Sequence, residues 1–203
     1  GKSQLVSIFY PAWFLGRNPT KKVMMVSHTT DLAVDFGRKV RNLIDVDDYK
    51  EIFPDVSLAV DSKSAGRWNT NFGGEYFACG VGSALAGRGA DLLLVDDPHS
   101  EQDIINGNFS VFEKAYEWFT FGARTRLMPG GRVAIVQTRW HMDDLTGRVT
   151  NDMVKNELAD QYEIVEFPAI LDANDADGKP VKKPLWPEFF DLAALERTKA
   201  SMP

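Results

Sequence analysis

Leu92-Leu93-Leu94-Val95-Asp96-Asp97 is an apolar run that ends in two acidic residues. A short apolar run of this kind is typical of a β-strand that is buried on both faces of a sheet. The carboxyl ends of such strands form the edge at which α/β proteins bind their ligands. We therefore predict a buried strand that delivers Asp96 and Asp97 to a functional edge.

Two further apolar strands, at 22–27 and 132–137, lie before and after this run, with helical periodicity between the strands. Helices are predicted at 4–15, 30–43 and 109–127. Alternation of strand and helix periods is the pattern of an α/β fold with crossover helices. We expect a mostly parallel sheet whose three apolar strands end around Lys2.

The rest of the chain carries weaker patterns. Short strands are predicted at 56–60, at 67–79 around a turn at Phe72-Gly73-Gly74, and at 163–166. A turn at Pro129-Gly130-Gly131 leads into the strand at 132–137, and a short helix starts near Asp143. Residues 171–187, which are rich in Asn, Asp, Gly, Lys and Pro, are interpreted as a surface excursion.

The composition limits the class of protein. A chain of 203 residues, 44% of them hydrophobic, can bury one sizeable core. It has neither a signal-peptide pattern nor an apolar run long enough to span a membrane, so we expect a soluble, intracellular domain. The net charge of −6 means that any contact with nucleic acid must use a local basic patch. The single Cys79 cannot form an internal disulfide and is expected to be buried in a strand.

The sequence opens with Gly1-Lys2-Ser3 directly before an apolar helix. These residues match the end of the phosphate-binding loop G-x-x-x-x-G-K-[ST], in which the lysine reaches the β- and γ-phosphates and the hydroxyl ligates Mg²⁺. The helix that follows would point its first amides at the phosphates. We expect the start of this loop and its leading strand to be missing from the sequence. The alternative is that Gly-Lys-Ser is a common tripeptide at a fraying terminus.

Asp96 would supply the second half of a nucleotide site. In P-loop ATPases a buried strand beside the phosphate loop delivers such an acid to Mg²⁺, and a nearby carboxylate polarises the attacking water. Asp97 and Glu101 are both candidates for that carboxylate. We favour Glu101, because a longer side chain on the following loop reaches a water beyond the metal more readily. Singly, Asp96 could mark a loop entry, and Glu101 could be a solvated acid.

Two further segments carry candidate site residues. Gly87-Arg88-Gly89 places a guanidinium on a flexible base, from which it could reach the γ-phosphate of a neighbouring subunit, or be an ordinary surface arginine. Gln137, Thr138 and Arg139 follow a buried strand, where polar groups could sense the γ-phosphate.

A metal site and a base-stacking surface are weaker alternatives. Asp97-Pro98-His99 and His141-Met142-Asp143-Asp144 contain His and Asp, but no cysteine or HExxH spacing supports zinc. Most aromatic residues are expected to pack in the core and not to stack on bases. Examples are Trp118, Phe119, Phe189 and Phe190.

The motifs follow one another in a fixed order along nearly the whole chain. They are Gly1-Lys2-Ser3, Gly80-Val81-Gly82, Gly87 to Asp91, Leu92 to Pro98, Thr138-Arg139-Trp140-His141 and Asp143-Asp144-Leu145. The smaller motifs Phe167-Pro168-Ala169-Ile170 and Leu185-Trp186-Pro187-Glu188 come later. This succession resembles the large terminase subunit of tailed bacteriophages, and the last two motifs resemble the exit from its motor domain.

The resemblance implies a fold, an activity and partners. The fold would be a P-loop NTPase of the RecA-like (ASCE) type, which is a three-layer α/β sandwich. Residues 1–170 would form the ATPase core, and residues 171–203 would form an exit segment toward a nuclease domain. The activity would be hydrolysis of ATP with Mg²⁺, coupled to translocation of double-stranded DNA into a procapsid in the host cytoplasm. The partners would be the portal protein, the procapsid, the small terminase subunit and further copies in a ring.

The resemblance also implies roles by position. The phosphates would be bound by Gly1, Lys2 and Ser3, and Mg²⁺ would be held by Ser3 and Asp96. The catalytic carboxylate would be Glu101 or Asp97. The coupling motif would consist of Gln137, Thr138 and Arg139, and Arg88 would be an arginine finger in trans. DNA cleavage is not expected of this sequence, and its ATP hydrolysis in isolation is doubtful. Two rival functions stay open: another P-loop DNA motor of the helicase or recombinase kind, and a docking module that does not hydrolyse ATP.

Overall fold

The computed structural model describes residues 1–62 and 64–201. The chain divides after Asp160 into two units, which are described separately. The functional boundary predicted between residues 170 and 171 stays a prediction. Within the described ranges, no helix is long and apolar enough to cross a membrane.

The first unit contains six helices and five strands among its described residues. The helices are α1 (Gln4–Phe9 in π-helical form, then Tyr10–Arg17), α2 (Thr30–Ile44), α3 (Asp47–Ile52), α4 (Glu101–Ile105), α5 (Ser110–Glu117) and α6 (Leu145–Lys155). Directly after α5, the helix continues with a π-helical segment (Trp118–Ala123) and a 3-10 turn (Arg124–Arg126), and all three together are called the α5 path. The strands are β1 (Lys22–Ser27), β2 (Arg67–Asn69), β3 (Glu75–Gly80), β4 (Ala90–Asp96) and β5 (Leu127–Val136).

The sheet has the strand order β2-β3-β1-β4-β5, and every pairing is parallel except that of β2 with β3. Val26 of β1 is opposite Val95 of β4, and Asp96 is opposite Val136 of β5. The carboxyl ends of β1, β4 and β5 therefore meet at one edge, which confirms the predicted α/β class and the predicted alignment of the three strands.

Successive side chains of the central strands pack against opposite layers of helix. Met25 and Leu94 belong to a core that includes Leu15 of α1 and Phe36 of α2. Leu93 is equally buried, and it faces the other way because side chains alternate along a strand. On that side the α5 path contributes buried residues, Phe112 and Phe119 among them. Cys79 is buried in β3 as a free thiol, as predicted, and burial raises its pKa to about 11.

Two predicted strands are wrong. Residues 56–60 form only an isolated antiparallel bridge, between Leu58 and Thr70, in which the Ala59 amide donates to the Asn69 carbonyl and the Asn71 amide to the Ser57 carbonyl. The Ser57 amide donates to the Asn71 side chain and so does not extend this pairing. Residues 163–166 have no regular structure, and Ile164 is 53% exposed. An alternating apolar pattern forms a strand only where another strand supplies hydrogen bonds.

The predicted turn at Pro129-Gly130-Gly131 is instead part of β5. The pairing of β4 with β5 shifts from Ala90 opposite Leu127 to Leu92 opposite Arg132, so the extra residues bulge out of the ladder. Gly130 has a φ of +76°, a conformation that favours glycine, which explains why the bulge falls there.

The second unit begins at Gln161 and contains β6 (Ile170–Asn174), β7 (Pro180–Pro184) and α7 (Leu192–Ala200). The two strands form an antiparallel hairpin in the stretch interpreted as a surface excursion. Its turn is closed by Asp175 Oδ1, which accepts hydrogen bonds from the Asp177 and Lys179 amides at 2.9 Å. The expectation that Phe189 and Phe190 are core residues is wrong, because they are 64% and 52% exposed.

Two helix starts bear on the site. Glu101 was expected on a loop but is the first residue of α4, because Ser100 and Asp103 form a reciprocal capping box there. The helix predicted near Asp143 is α6, which begins at Leu145 with Asp144 as its N-cap.

Candidate functional site

The amino end of α1 lies against the carboxyl ends of β4 and β5. Ser3 Oγ donates to Asp96 Oδ1 at 3.1 Å, and Lys2 Nζ donates to the Gln137 carbonyl oxygen at 3.3 Å. The sheet thus brings together the two motifs that the sequence predicted to form one site. The roles of these residues, and of Gly1 before them, stay predictions.

Asp96 is a buried carboxylate with partners on both oxygens. Its Oδ2 accepts a short hydrogen bond from Ser7, which lies one helical turn after Ser3 on α1 and is itself buried. Burial raises the pKa of Asp96, the nearby Asp97 raises it further, and the two serines and Lys2 only partly offset this. The charged form is therefore held at a cost in folding free energy.

Asp97 follows β4 directly and makes hydrogen bonds to residues at or just after the carboxyl ends of β1 and β5. Its amide donates to the Val136 carbonyl at 2.9 Å, its carbonyl accepts from the His28 amide at 3.1 Å, and its Oδ1 accepts from the Thr138 amide at 3.2 Å. The residue has a φ of +43°, which is uncommon for a side chain other than glycine and is held here by these three contacts.

Gln137 carries an unsatisfied amide beside Lys2. Both its Oε1 and its Nε2 are buried, and neither has a hydrogen-bond partner among the described residues. A buried polar group left in this state costs about 1–3 kcal/mol. The contact of Lys2 is with the Gln137 backbone carbonyl, so this side-chain amide keeps its hydrogen-bonding capacity unused.

Glu101 and Arg139 differ in how firmly they are held. Glu101 is exposed, and within the described ranges its carboxylate makes no hydrogen bond or ion pair. Arg139 Nε donates to Asp144 Oδ2 at 2.9 Å, and its Nη2 donates to the His141 carbonyl at 3.2 Å. Arg139 thus points at the fully buried Asp144, while Glu101 is free to turn toward a ligand.

Arg88 lies two residues before the first residue of β4, at the opposite edge of the sheet from Asp96. Its Nη1 donates to Glu75 Oε1 at 3.1 Å, and its guanidinium lies over the Phe77 ring at 4.3 Å from the centroid. The expectation that the flanking glycines leave this side chain poorly fixed is therefore wrong for the single chain.

A His/Asp metal site is not supported. No group of three His, Cys, Asp or Glu side chains that could hold a metal ion is found in the part of the chain that the structure describes. His99 Nε2 already accepts the Leu145 amide at 3.0 Å. A cavity of about 340 Å³ lies elsewhere, lined by Trp13, Lys21 and Asp91 among others, near the amino ends of β1 and β4.

Three residues of the site were missed in the sequence. Ser7 could have been found from its spacing, since Ser3 and Ser7 are four residues apart on a predicted helix and share a face. Asp144 carried the signal of an N-cap before an apolar helix. His28, whose Nδ1 lies 3.2 Å from the Asp97 carbonyl oxygen, follows a strand with no local signal of its role.

Comparison with known protein families places this chain beside a viral family. The model of the family described as "Terminase large subunit, T4likevirus-type, N-terminal" matches residues 1–202. A search of curated proteins finds no match.

Proposed function

The chain belongs to the T4-like terminase large subunit family, whose N-terminal domain it matches, and from this premise we propose that it is the ATPase of a viral DNA-packaging motor. It binds Mg²⁺ and ATP at the carboxyl edge of the five-stranded sheet, in a P-loop NTPase fold. Hydrolysis drives double-stranded DNA into a procapsid in the host cytoplasm, with the portal protein and the small subunit as partners.

The observation that carries this proposal is the contact of Ser3 Oγ with Asp96 Oδ1. A phosphate-loop hydroxyl and a strand-end carboxylate are the two protein groups that P-loop enzymes aim at one Mg²⁺. The arrangement would have no purpose in a docking module, since it buries a carboxylate at a cost in stability.

The donor set supports a hard cation such as Mg²⁺, which prefers oxygen ligands. Mg²⁺ is usually bound through one or two carboxylates, phosphate oxygens and waters, without a full cage of protein ligands. Ser3 and Asp96 supply such a partial set of oxygen donors, and the metal, when bound, would neutralise charge on the β- and γ-phosphates. Lys2 and the first amides of α1 would hold the phosphates themselves.

The orphaned Gln137 amide supports a ligand at this edge. A phosphate oxygen or the attacking water would satisfy it, which would couple occupancy of the site to the segment Gln137-Thr138-Arg139. We assign γ-phosphate sensing to this segment.

Glu101 is the proposed catalytic carboxylate. Asp97 Oδ1 already accepts the Thr138 amide, and losing that bond would loosen the exit of β5. Glu101 has no competing contact among the described residues, so its carboxylate can polarise a water.

Arg88 is proposed to act on a neighbouring subunit. β4 rises about 3.3 Å per residue, so its first residue, Ala90, is roughly 20 Å from Asp96, and Arg88 comes two residues before Ala90. That separation favours action on another subunit, since a head-to-tail ring would set this edge against the next subunit's nucleotide.

The test is a matched pair of isosteric changes in the full-length large subunit. We expect Glu101→Gln to lower kcat for ATP by at least about 100-fold, with the Kd for a fluorescent ATP analogue nearly unchanged. Asp97→Asn should impair hydrolysis less, and Lys2→Ala should weaken nucleotide binding itself. The opposite order, with Glu101→Gln fully active and Asp97→Asn inactive, would move the catalytic role to Asp97.

Hydrolysis must also depend on the packaging partners. Stimulation of turnover by procapsids and DNA is expected for a packaging motor. Turnover stimulated by DNA alone would favour a helicase-like motor, and absence of nucleotide binding by the wild type would favour the docking module.

A further inference from the structure

His99 makes a buried hydrogen bond between two segments of the proposed site. It lies three residues after Asp96, on the segment between β4 and α4, and is 4% exposed. The Leu145 amide donates to His99 Nε2 at 3.0 Å, across 46 residues of sequence. Because Nε2 accepts this bond, the ring is the neutral tautomer with its proton on Nδ1.

The partner amide belongs to the first residue of α6. The residue before it, Asp144, caps the helix by accepting the Gly147 amide at 2.9 Å, and the same carboxylate accepts Arg139 Nε and the Trp140 amide. The helix start and the position of Arg139 are therefore one rigid unit, and His99 is bonded directly to it.

The imidazole is also fixed by packing. The imidazole and the Phe112 ring are perpendicular to each other, with a centroid distance of 4.8 Å and an interplanar angle of 90°. His141, from the Arg139 side, stacks on the same Phe112 ring at 5.4 Å. Phe112 is 1% exposed, so the ring of His99 cannot turn away without opening the core.

We propose that His99 is a positioning residue that fixes α6 and Arg139 relative to the strand end carrying Asp96, so that a change at the nucleotide is passed to α6 through the His99 to Leu145 bond. This rests on the proposed ATP site. Neighbouring Asp97 and Thr138 already connect β4 to the exit of β5, and His99 extends that connection to the helix. Burial lowers the pKa of His99, against the opposing effect of Asp144 and Asp103, and so keeps the acceptor available.

The experiment is amide hydrogen exchange on the full-length subunit, read in residues 97–103 and 145–151. His99→Leu removes the acceptor, whereas His99→Gln keeps an acceptor oxygen near the position of Nε2. Without nucleotide, the leucine variant should exchange about tenfold faster at the start of α6, and the glutamine variant should resemble the wild type.

The nucleotide response then separates positioning from simple packing. With Mg²⁺ and the non-hydrolysable analogue AMP-PNP, the wild type and His99→Gln should slow exchange in both segments, and His99→Leu only in 97–103. The proposal is overturned if AMP-PNP slows amide exchange in residues 145–151 of His99→Leu as much as in the wild type. It is also overturned if His99→Gln shows the same exchange as His99→Leu.

A second perturbation keeps the test independent of ATP binding. If AMP-PNP does not change exchange in residues 97–103 of the wild type, the proposed ATP site fails, and Asp103→Ala is used instead to loosen the cap of α4. That change should speed exchange in 145–151 when His99 is present and not in His99→Leu. Equal acceleration in both backgrounds overturns the role of His99.

Discussion

Asp96 carries a buried carboxylate whose charged form lowers the stability of the folded chain. Its carboxylate is 1% exposed and close to Asp97, and its raised pKa means that the folded chain favours the protonated acid. Three groups nearby limit the cost: Ser3, Ser7 and Lys2. A cation bound at the proposed Mg²⁺ site would reduce this cost further, because opposite charge nearby favours the ionised carboxylate.

Asp96→Asn is expected to stabilise the ligand-free protein and to abolish binding of Mg²⁺ with ATP. Since the folded pKa is raised, the penalty for the charged carboxylate is absent below the ordinary value of 3.8, grows between 3.8 and the raised pKa, and is complete above the raised pKa. The melting temperature of the variant should therefore exceed that of the wild type at pH 7, with the difference vanishing near pH 4. Calorimetry over this range provides the check.

Asp91→Asn is the matched control, because Asp91 is on the same strand but pairs with Lys21 at 2.8 Å. It should be neutral or slightly destabilising at pH 7. A lower melting temperature for Asp96→Asn than for Asp91→Asn would contradict our account of Asp96.

Ser7→Ala tests the residue that the sequence did not reveal. Loss of its hydroxyl leaves a buried carboxylate oxygen without a partner, so we expect a loss of about 1–3 kcal/mol in unfolding free energy. The loss should shrink in the Asp96→Asn background, since a neutral amide needs the serine less, and Ser7→Thr should retain most of the stability. Additive effects in the double mutant, measured by denaturant unfolding, would show that Ser7 does not act through Asp96.

At the level of elements, α6 depends on a single buried cap. Asp144 is fully buried and bonds the helix amides and Arg139. Burial alone would raise its pKa, but hydrogen bonds from Gly147, Arg139 and Trp140 outweigh this and lower it. The helix start is thus built around a charge that the fold stabilises, the opposite of Asp96.

Asp144→Ala should cost about 2 kcal/mol at pH 7, because it removes a cap and leaves Arg139 unpaired. Since the folded pKa is lowered, the stabilisation is complete above the ordinary value of 3.8 and is lost as pH falls below it, so the gap between wild type and variant should close in acid. Asp191→Ala, at the exposed cap of α7, is the control and should cost less. A gap that is unchanged at low pH would mean that the carboxylate charge is not what stabilises α6.

For the whole molecule, the parallel sheet separates two kinds of residue. Lys2, Asp96 and Asp97 lie at its carboxyl edge, and Arg88 lies at its amino edge with Glu75. If Arg88 takes part in ATP hydrolysis as proposed, a ring of identical subunits would bring it to a neighbouring site.

Doping Arg88→Ala subunits into wild-type rings should lower ATP turnover at neighbouring wild-type sites, because each site would borrow its arginine from the next subunit. Arginine fingers raise the rate of phosphoryl transfer roughly 10³- to 10⁵-fold where they have been measured. One Arg88→Ala subunit should therefore abolish ATP turnover at the site of its neighbour. Arg67→Ala is the control, since Arg67 pairs with the same Glu75 oxygen at 2.8 Å and has no proposed role.

The doping experiment can also exclude the finger. Equal impairment of dilute Arg88→Ala monomers, or loss confined to the mutant's own site, would make Arg88 structural. Arg124, Arg126 and Arg139 are then the next candidates, with Arg139 first because it is at the same edge as Lys2.

The sequence by itself determined the parts of this protein that depend on local pattern. The apolar runs at 22–27, 92–95 and 132–136 were predicted as strands, and the polar residues after them were expected to meet once those strands ran parallel. The expectation that the last of these strands is buried is wrong, because no residue of β5 is buried. Gly1-Lys2-Ser3 and Asp96 could be assigned to one site on that ground. The same reasoning failed at 56–60, where the pairing with residues 69–71 is limited to one bridge, and at 163–166, which has no strand partner among the described residues.

Only the tertiary structure decided which atoms meet. Ser7 with Asp96, Asp97 with Thr138, and His99 with Leu145 join residues 41 or more positions apart, and their contacts depend on strand register and on the depth at which helices pack. Arg88 looked loose between two glycines, yet Glu75 and Phe77 of β3 hold it, because the segment that leads from β3 to β4 brings Arg88 back against β3. Backbone propensity acts over a few residues, whereas a buried hydrogen bond requires both partners to be placed within a few tenths of an ångström by the whole core.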